Sequence, residues 1–436
     1  MDENTKKKNH IVFVIFIVLA CLISSGCFEE TEILTAFDGV DPGRHFGYSV
    51  DIHMAGGQNY ALIGAPDDNT CAQDAGAVYV YRKSAYGDSW QPVQKLYASD
   101  AAVGDRFGCA VSIYNNIAVI GSRYDDNSNG RDAGAAYVFR LINGQWYQYQ
   151  KLIRSNGRAN EHFGAAVSID GIYVFIGSPY AWTENRNQGE VDIYYKGYPS
   201  PRLSLVKTIR RAGHHKGGVF GERIAVDGGY AVIGSPTELE NGSFCGAIHI
   251  YSLQGGWHEV KRIPNPDENI DEKHQFGDSV SIWDDYIIVG SPGSDGLLGA
   301  AYIYGPDAAG NPWEKVQRLT VPESAGFWFE FGKTVAMDEG VAIVGAEGSY
   351  AKAPAAYVYA YVENGNQGEW TFIKKLEPAH EFQPGGIDIS HFADAVAISG
   401  DYAIISDPYT RWNECNLPRY CYQTDSLVYM YEKEQQ

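Results

Sequence analysis

Methionine and leucine are scarce in this chain, and cations are outnumbered. With 4 Met in 436 residues and little Leu, long amphipathic helices are not expected, and strands and turns are favoured. Lys and Arg together number 34 against 54 Asp and Glu, a formal charge of −20. That balance lacks the basic footprint that phosphate backbones require, so nucleic acid is excluded as a partner. The one unbroken apolar run, Ile11 to Ile23, falls short of the ~20 residues needed to span a bilayer comfortably. Catalytic signatures are missing as well. There is no His-Glu-x-x-His, no Gly-x-Ser-x-Gly, no phosphate loop, no zinc-type Cys spacing and no Ser-x-Asp-x-Gly-x-x-Trp box. Carboxylates are plentiful, but their spacing singles out no acid–base pair. His214-His215 lie in a Gly-rich stretch without a third ligand nearby and read as a surface loop. The expectation is a protein that is not an enzyme and holds no cofactor and no metal.

What the chain has in abundance is glycine (49) and tyrosine (31). Much of the glycine belongs to an internal repeat. A Phe-Gly step recurs at Phe46-Gly47, Phe107-Gly108, Phe163-Gly164, Phe220-Gly221, Phe276-Gly277 and Phe331-Gly332, with a seventh copy reading Phe392-Ala393, about every 58 residues. Each copy continues with an alternating strand, a tight polar turn such as Asp170-Gly171, and a second, more apolar strand. That strand ends in Gly-Ala-Pro (64–66) or Gly-Ser-Pro (177–179, 234–236, 290–292). A third strand follows, such as Gly76 to Tyr81. The fourth carries an aromatic six residues before an aliphatic: Trp90/Leu96, Trp146/Leu152, Trp257/Ile263, Trp313/Leu319 and Trp370/Leu376. One four-stranded antiparallel sheet cannot bury both faces alone, whereas seven around an axis can. The fold class is therefore all-β, a seven-bladed β-propeller of four-stranded blades, with strands A to D in each. The seventh copy stops after its third strand, and Phe28 precedes Leu34 at the Trp-to-Leu spacing. Residues 28–36 are thus expected to supply strand D of blade seven and close the ring.

These motifs resemble FG-GAP repeats, as in the N-terminal propeller of integrin α-chains and in prokaryotic surface proteins. The likeness covers residues 28–436. It implies protein recognition and cell adhesion through the face that carries the B–C and D–A loops. In integrins the A–B loops hold Ca²⁺ in an Asp-rich motif. Here the A–B connections are two or three residues long, too short for six to eight oxygen ligands, so that site is not carried over. Acidic groups in two B–C loops, Asp67-Asp68-Asn69 with Asp74 and Asp125-Asp126-Asn127 with Asp132, read as solvated turn formers, with a cation as the alternative.

Residues 1–26 read as a signal peptide, with Lys6 to Lys8 ahead of the apolar run and Ser24-Ser25-Gly26 before Cys27. The segment resembles a prokaryotic lipoprotein signal, with Cys27 as the lipidated residue of a membrane-anchored protein, although Ser24 stands where Leu is usual. Plain cleavage and an uncleaved anchor are the alternatives, and all three put residues 27–436 outside the cytoplasm. Export permits disulfides. Cys415 with Cys421 is the expected pair, and Cys71 with Cys109 a second. Loop aromatics mark the candidate binding face: Tyr180 and Trp182 in blade three, Trp328 beside Phe327 and Phe329 ahead of blade six, and Tyr409, Trp412 and Tyr420 in a long blade-seven loop. Aromatic anchors with few charges suit a protein partner or a surface glycan. The functional readings are an extracytoplasmic protein-binding or adhesion module, a carbohydrate-binding or glycan-active propeller, and a structural subunit of a surface assembly.

Overall fold

A computed structural model of the chain describes residues 28–38, 45–83, 89–183, 186–197, 202–211, 218–240, 242–267, 274–307, 310–322, 329–348, 353–364, 367–378, 391–412 and 423–433. Seven four-stranded antiparallel sheets make seven blades. Blade one is Ser49–Ala55, Gln58–Ala65, Ala77–Lys83 and Trp90–Leu96. Blades two to six repeat this order, strand A innermost. The A strands of all seven blades line a central channel of about 410 Å³.

Seven apolar clusters, one at each interface between neighbouring blades, form the core of the described residues. The repeat's aromatics fill them. Phe107 and Phe276 are fully buried and meet a strand-C tyrosine edge to face, Tyr137 at 5.4 Å and Tyr302 at 5.6 Å. Trp90, Trp146 and Trp370 of strand D are buried too. Each such side chain contributes ~1.5–3 kcal/mol. The small strand-C residues Ala77, Ala135 and Ala300 are fully buried where neighbouring sheets approach.

Blade seven is Val396–Ser399, Tyr402–Trp412, Gln423–Glu432 and, from the other end of the chain, Glu29–Leu34. The borrowed strand behaves as a full strand D. Leu34 pairs with Val428, and the register slips between Glu30 and Glu32, opposite Met430 and Tyr431. Blades one to six show the same bulge at the same place, for example between Val80 and Tyr81. Phe28 takes the tryptophan's position and is fully buried. In other blades a strand-D side chain grips the next aromatic's backbone: Gln94 donates to the Trp146 carbonyl (2.8 Å) and accepts from its N–H (2.9 Å). Lys374 of blade six donates to the Phe28 carbonyl in the same way (2.9 Å), and Glu32 accepts from the Trp90 N–H (2.6 Å). The ring is closed on both sides of the borrowed strand.

Blade seven departs from expectation in one respect. Tyr409 and Trp412 lie on a long strand, with Trp412 opposite Gln423, and not in an open loop. The cause is an extended B–C hairpin whose two strands continue pairing beyond the blade.

Candidate functional site

The Phe-Gly step is the centre of a four-residue turn. The carbonyl of the residue before Phe accepts from the N–H of the residue after Gly: His45 from Tyr48 (3.0 Å), Arg106 from Cys109 (3.2 Å), Glu330 from Lys333 (3.0 Å). Gly108, third in its turn, has φ +91°, as a type II turn demands. A Cβ there would lie 2.5 Å from the Ala77 carbonyl of blade one, and one on Gly64 would lie 2.1 Å from the Gly108 carbonyl. The Phe-Gly motif of one blade therefore nests on the Gly-Ala-Pro motif of the blade before it.

Packing fixes the two central residues of each turn and leaves the two outer ones free to vary. The residues before Phe are His45, Arg106, His162, Val219, Gln275, Glu330 and His391. Those after Gly, or after Ala393 in the last copy, are Tyr48, Cys109, Ala165, Glu222, Asp278, Lys333 and Asp394. Five of the first set hold positive φ without being glycine, between 51° and 56°. Such backbone conformations persist only where the surroundings enforce them. The turns converge on the channel mouth, and side chains meet there across the axis. Arg123 of blade two reaches over blade three to Glu222 of blade four (3.5 Å).

The mouth divides into two arcs. Over blades one to three the chain of contacts is aromatic and polar. His45 stacks on Tyr48 and bonds Asp67 (2.6 Å), which also meets Arg106 (3.4 Å). Arg106 and Arg123 both lie over the Tyr124 ring, at 5.4 and 5.5 Å. Tyr124 packs on His162 (4.8 Å), and His162 on Tyr180 (4.9 Å). Over blades four to seven the arc is ionic. Arg223 contacts Glu222 (3.5 Å) and Asp278 (3.9 Å), Lys333 contacts Glu330 (3.2 Å) and Glu347 (3.4 Å), and His391 contacts Glu347 (3.6 Å). Burial works against the Lys333 charge, but Glu330 and Glu347 outweigh it and raise its pKa. Burial, reinforced by Arg123, lowers that of His162, which stays neutral near pH 7. Three buried atoms of the mouth, Arg123 Nε, Glu222 Oε2 and His162 Nδ1, have no hydrogen-bond partner among the described residues.

Of the aromatics expected on this face, Tyr180 joins the first arc. Trp182 is 48% exposed on a short hairpin, Trp182–Thr183 against Arg186–Asn187, away from the mouth. Phe329 is fully buried between blades five and six. Trp328, Phe327, Tyr420, Cys27, Cys415, Cys421 and His214-His215 lie outside the described residues, as do the side chains of Tyr409 and Trp412. Cys71 is an exposed free thiol and Cys109 a buried one, so the expected bond between them is not formed.

The B–C acidic groups are not solvated turn formers throughout. Asp68 and Asp125 are almost fully buried. Asp125 accepts from Tyr137 (2.7 Å) and Lys151 (2.8 Å), and Asp68 accepts from Tyr79 (3.1 Å) and Lys95 (2.8 Å). These carboxylates lock strands C and D to the loop, and a cation there would displace a lysine. Apart from Tyr180 and Asp67, the residues of the two arcs were missed by sequence reasoning. Most of them stand one place either side of the motif, where six aligned copies keep Phe-Gly, the seventh has Phe-Ala, and the neighbours vary.

The FG-GAP repeat profile matches residues 28–81, 90–139, 146–194 and 257–304. No curated protein matches the chain. Among solved structures, Sqt1 of Saccharomyces cerevisiae is 10% identical with a TM-score of 0.45, covering 93% of this chain and 100% of its own. The periplasmic gluconolactonase PpgL of Pseudomonas aeruginosa is 14% identical with a TM-score of 0.48, covering 85% of this chain and 98% of its own. Likeness at this level says nothing of activity or ligand.

Proposed function

Because the chain belongs to the FG-GAP repeat family, as a seven-bladed propeller, we propose that it is a non-enzymatic binding module. It recognises a protein partner with the face around the channel mouth. One observation carries this reading: the variable positions of the repeat gather at that mouth and sort into an aromatic arc and an ionic arc. Tyrosine and arginine are the residues on which protein interfaces most depend, and a rim of opposed charges sets orientation and excludes wrong partners.

The same reading puts the protein outside the cytoplasm, anchored by lipid on Cys27. The closing strand supports an anchor on the opposite face. Glu29 pairs with Glu432, and Glu432 pairs with Tyr402 beside the A–B turn of blade seven. A tether at Cys27 then leaves the channel mouth facing away from the membrane.

A photo-crosslinking amino acid at Arg106 or Tyr180, expressed in the native cells, should capture a protein. The same group at Ile172, exposed on an A–B turn, should not. Capture at Ile172 but not at the mouth would overturn the assignment of the face.

A further inference from the structure

Blade three breaks the repeat's internal chemistry in a concerted way. In most other blades strand C carries Ala and then Tyr two residues on, as in Ala77/Tyr79, Ala135/Tyr137 and Ala300/Tyr302. Blade three has Glu190 and Asp192. The acid that meets the tyrosine from the B–C loop, Asp68 or Asp125 in blades one and two, is Ala181 here. The small residue two places after the preceding strand D, Ala98 between blades one and two, is Arg154 here. Arg154 is buried and contacts three buried carboxylates: Glu161 (2.9 Å), Asp192 (3.2 Å) and Glu190.

Losing the tyrosine ring leaves space. A cavity of about 200 Å³ lies beneath the outer strand of blade three, separate from the channel mouth. Its floor is this ionic cluster. Its rim includes half-exposed Trp182 and the exposed Arg158 and Arg210. Arg158 makes no ion pair among the described residues.

We propose that this pocket binds one neutral sugar ring. The three arginines lining it balance the three carboxylates, so the site favours neither an anion nor a cation. Carboxylates accept from hydroxyls, and guanidinium groups donate to them. The free Arg158 supplies donors not already spent inside the protein. Trp182 offers an apolar plate at the rim for the C–H face of a pyranose, with its backbone tied to Glu161 (3.5 Å). The volume suits a single ring and not an extended chain lying flat.

Saturation-transfer NMR with a panel of methyl glycosides (glucose, galactose, mannose and N-acetylglucosamine) at millimolar concentration tests this. At least one glycoside should show transfer. That transfer should be lost in Trp182→Ala and in Arg158→Ala, two exposed positions whose variants should keep the parent melting temperature. No transfer from any of the four would overturn the proposal. Transfer that persists in both variants would overturn the pocket as its site.

Discussion

Blade four carries a histidine where most blades carry a tyrosine, and this one exchange makes part of the fold's stability depend on pH. His249 is fully buried and bonds Glu238 and Glu259, each at 2.9 Å. Burial disfavours its charge, but the two glutamates outweigh burial and raise its pKa. Burial likewise works to raise Glu238, yet the bond from His249 and the charges of His249, Arg211 and Arg262 hold it well below the usual carboxylate range. The signs follow from linkage. The Glu238 contribution is present above the ordinary glutamate value and fades as pH falls through its lowered one. The His249 contribution is present below the ordinary histidine value and fades as pH rises through its raised one. Both are whole between about pH 4.5 and about 6.5. Melting temperatures taken across pH should decline above that window, and His249→Gln should flatten the decline. An identical slope in the variant would contradict the assignment. At the same scale, Gly108→Ala should destabilise by about 2 kcal/mol or more, because the left-handed backbone and the Ala77 carbonyl both oppose a Cβ. Urea unfolding would measure it. Ala393, at φ +67°, shows that one of the seven turns is made without glycine.

At the scale of elements, the borrowed strand is the feature most open to attack. Removing residues 28–36 strips Phe28 and Leu34 from two interfaces and uncovers the edge of Gln423–Glu432. Each buried side chain is worth ~1.5–3 kcal/mol, and a bare edge invites aggregation. The truncated chain should melt many degrees lower, and an unchanged transition by calorimetry would refute the closure. This strand was legible in the sequence because Phe28 and Leu34 keep the spacing of Trp90 and Leu96. The blades were legible for the same reason: packing keeps Phe-Gly in six of the seven copies and a small residue pair, Gly-Ser or Gly-Ala, at the end of the second strand in the same six. The surface was not. Spacing could not tell that Asp68 and Asp125 turn inward to Tyr79 and Tyr137, nor that the Tyr409–Trp412 segment continues as a strand. Those outcomes depend on partners in the next strand, 11 or more residues away. The channel mouth lay between the two cases: the repeat gives most of its positions, which flank Phe-Gly, but not which side chains meet there across blades.

For the whole molecule, seven near-equal blades supply a scaffold and unequal turns supply the surface. Each turn carries two free positions, so a ring of seven presents a mouth that can change residue by residue without disturbing the packing beneath. The division into aromatic and ionic arcs predicts a polarity of engagement. A partner captured at Arg106 should lose affinity steeply when Tyr124 becomes Ala. It should respond mainly in association rate and salt dependence when Lys333 becomes Ala. Surface plasmon resonance at two ionic strengths separates these outcomes, and equal effects of both changes on dissociation would deny the division.

Thr31 donates to the Met430 carbonyl, 399 residues away in sequence. The strand that begins the ring is therefore the last of its strands to find a partner. Until the C-terminal hairpin emerges, the nascent chain holds an arc of blades with two raw ends. A chain cut short anywhere before residue 430 can never shut. Closure of the ring thus waits on synthesis of its last hairpin, and a message broken before it yields an open arc for proteases to find.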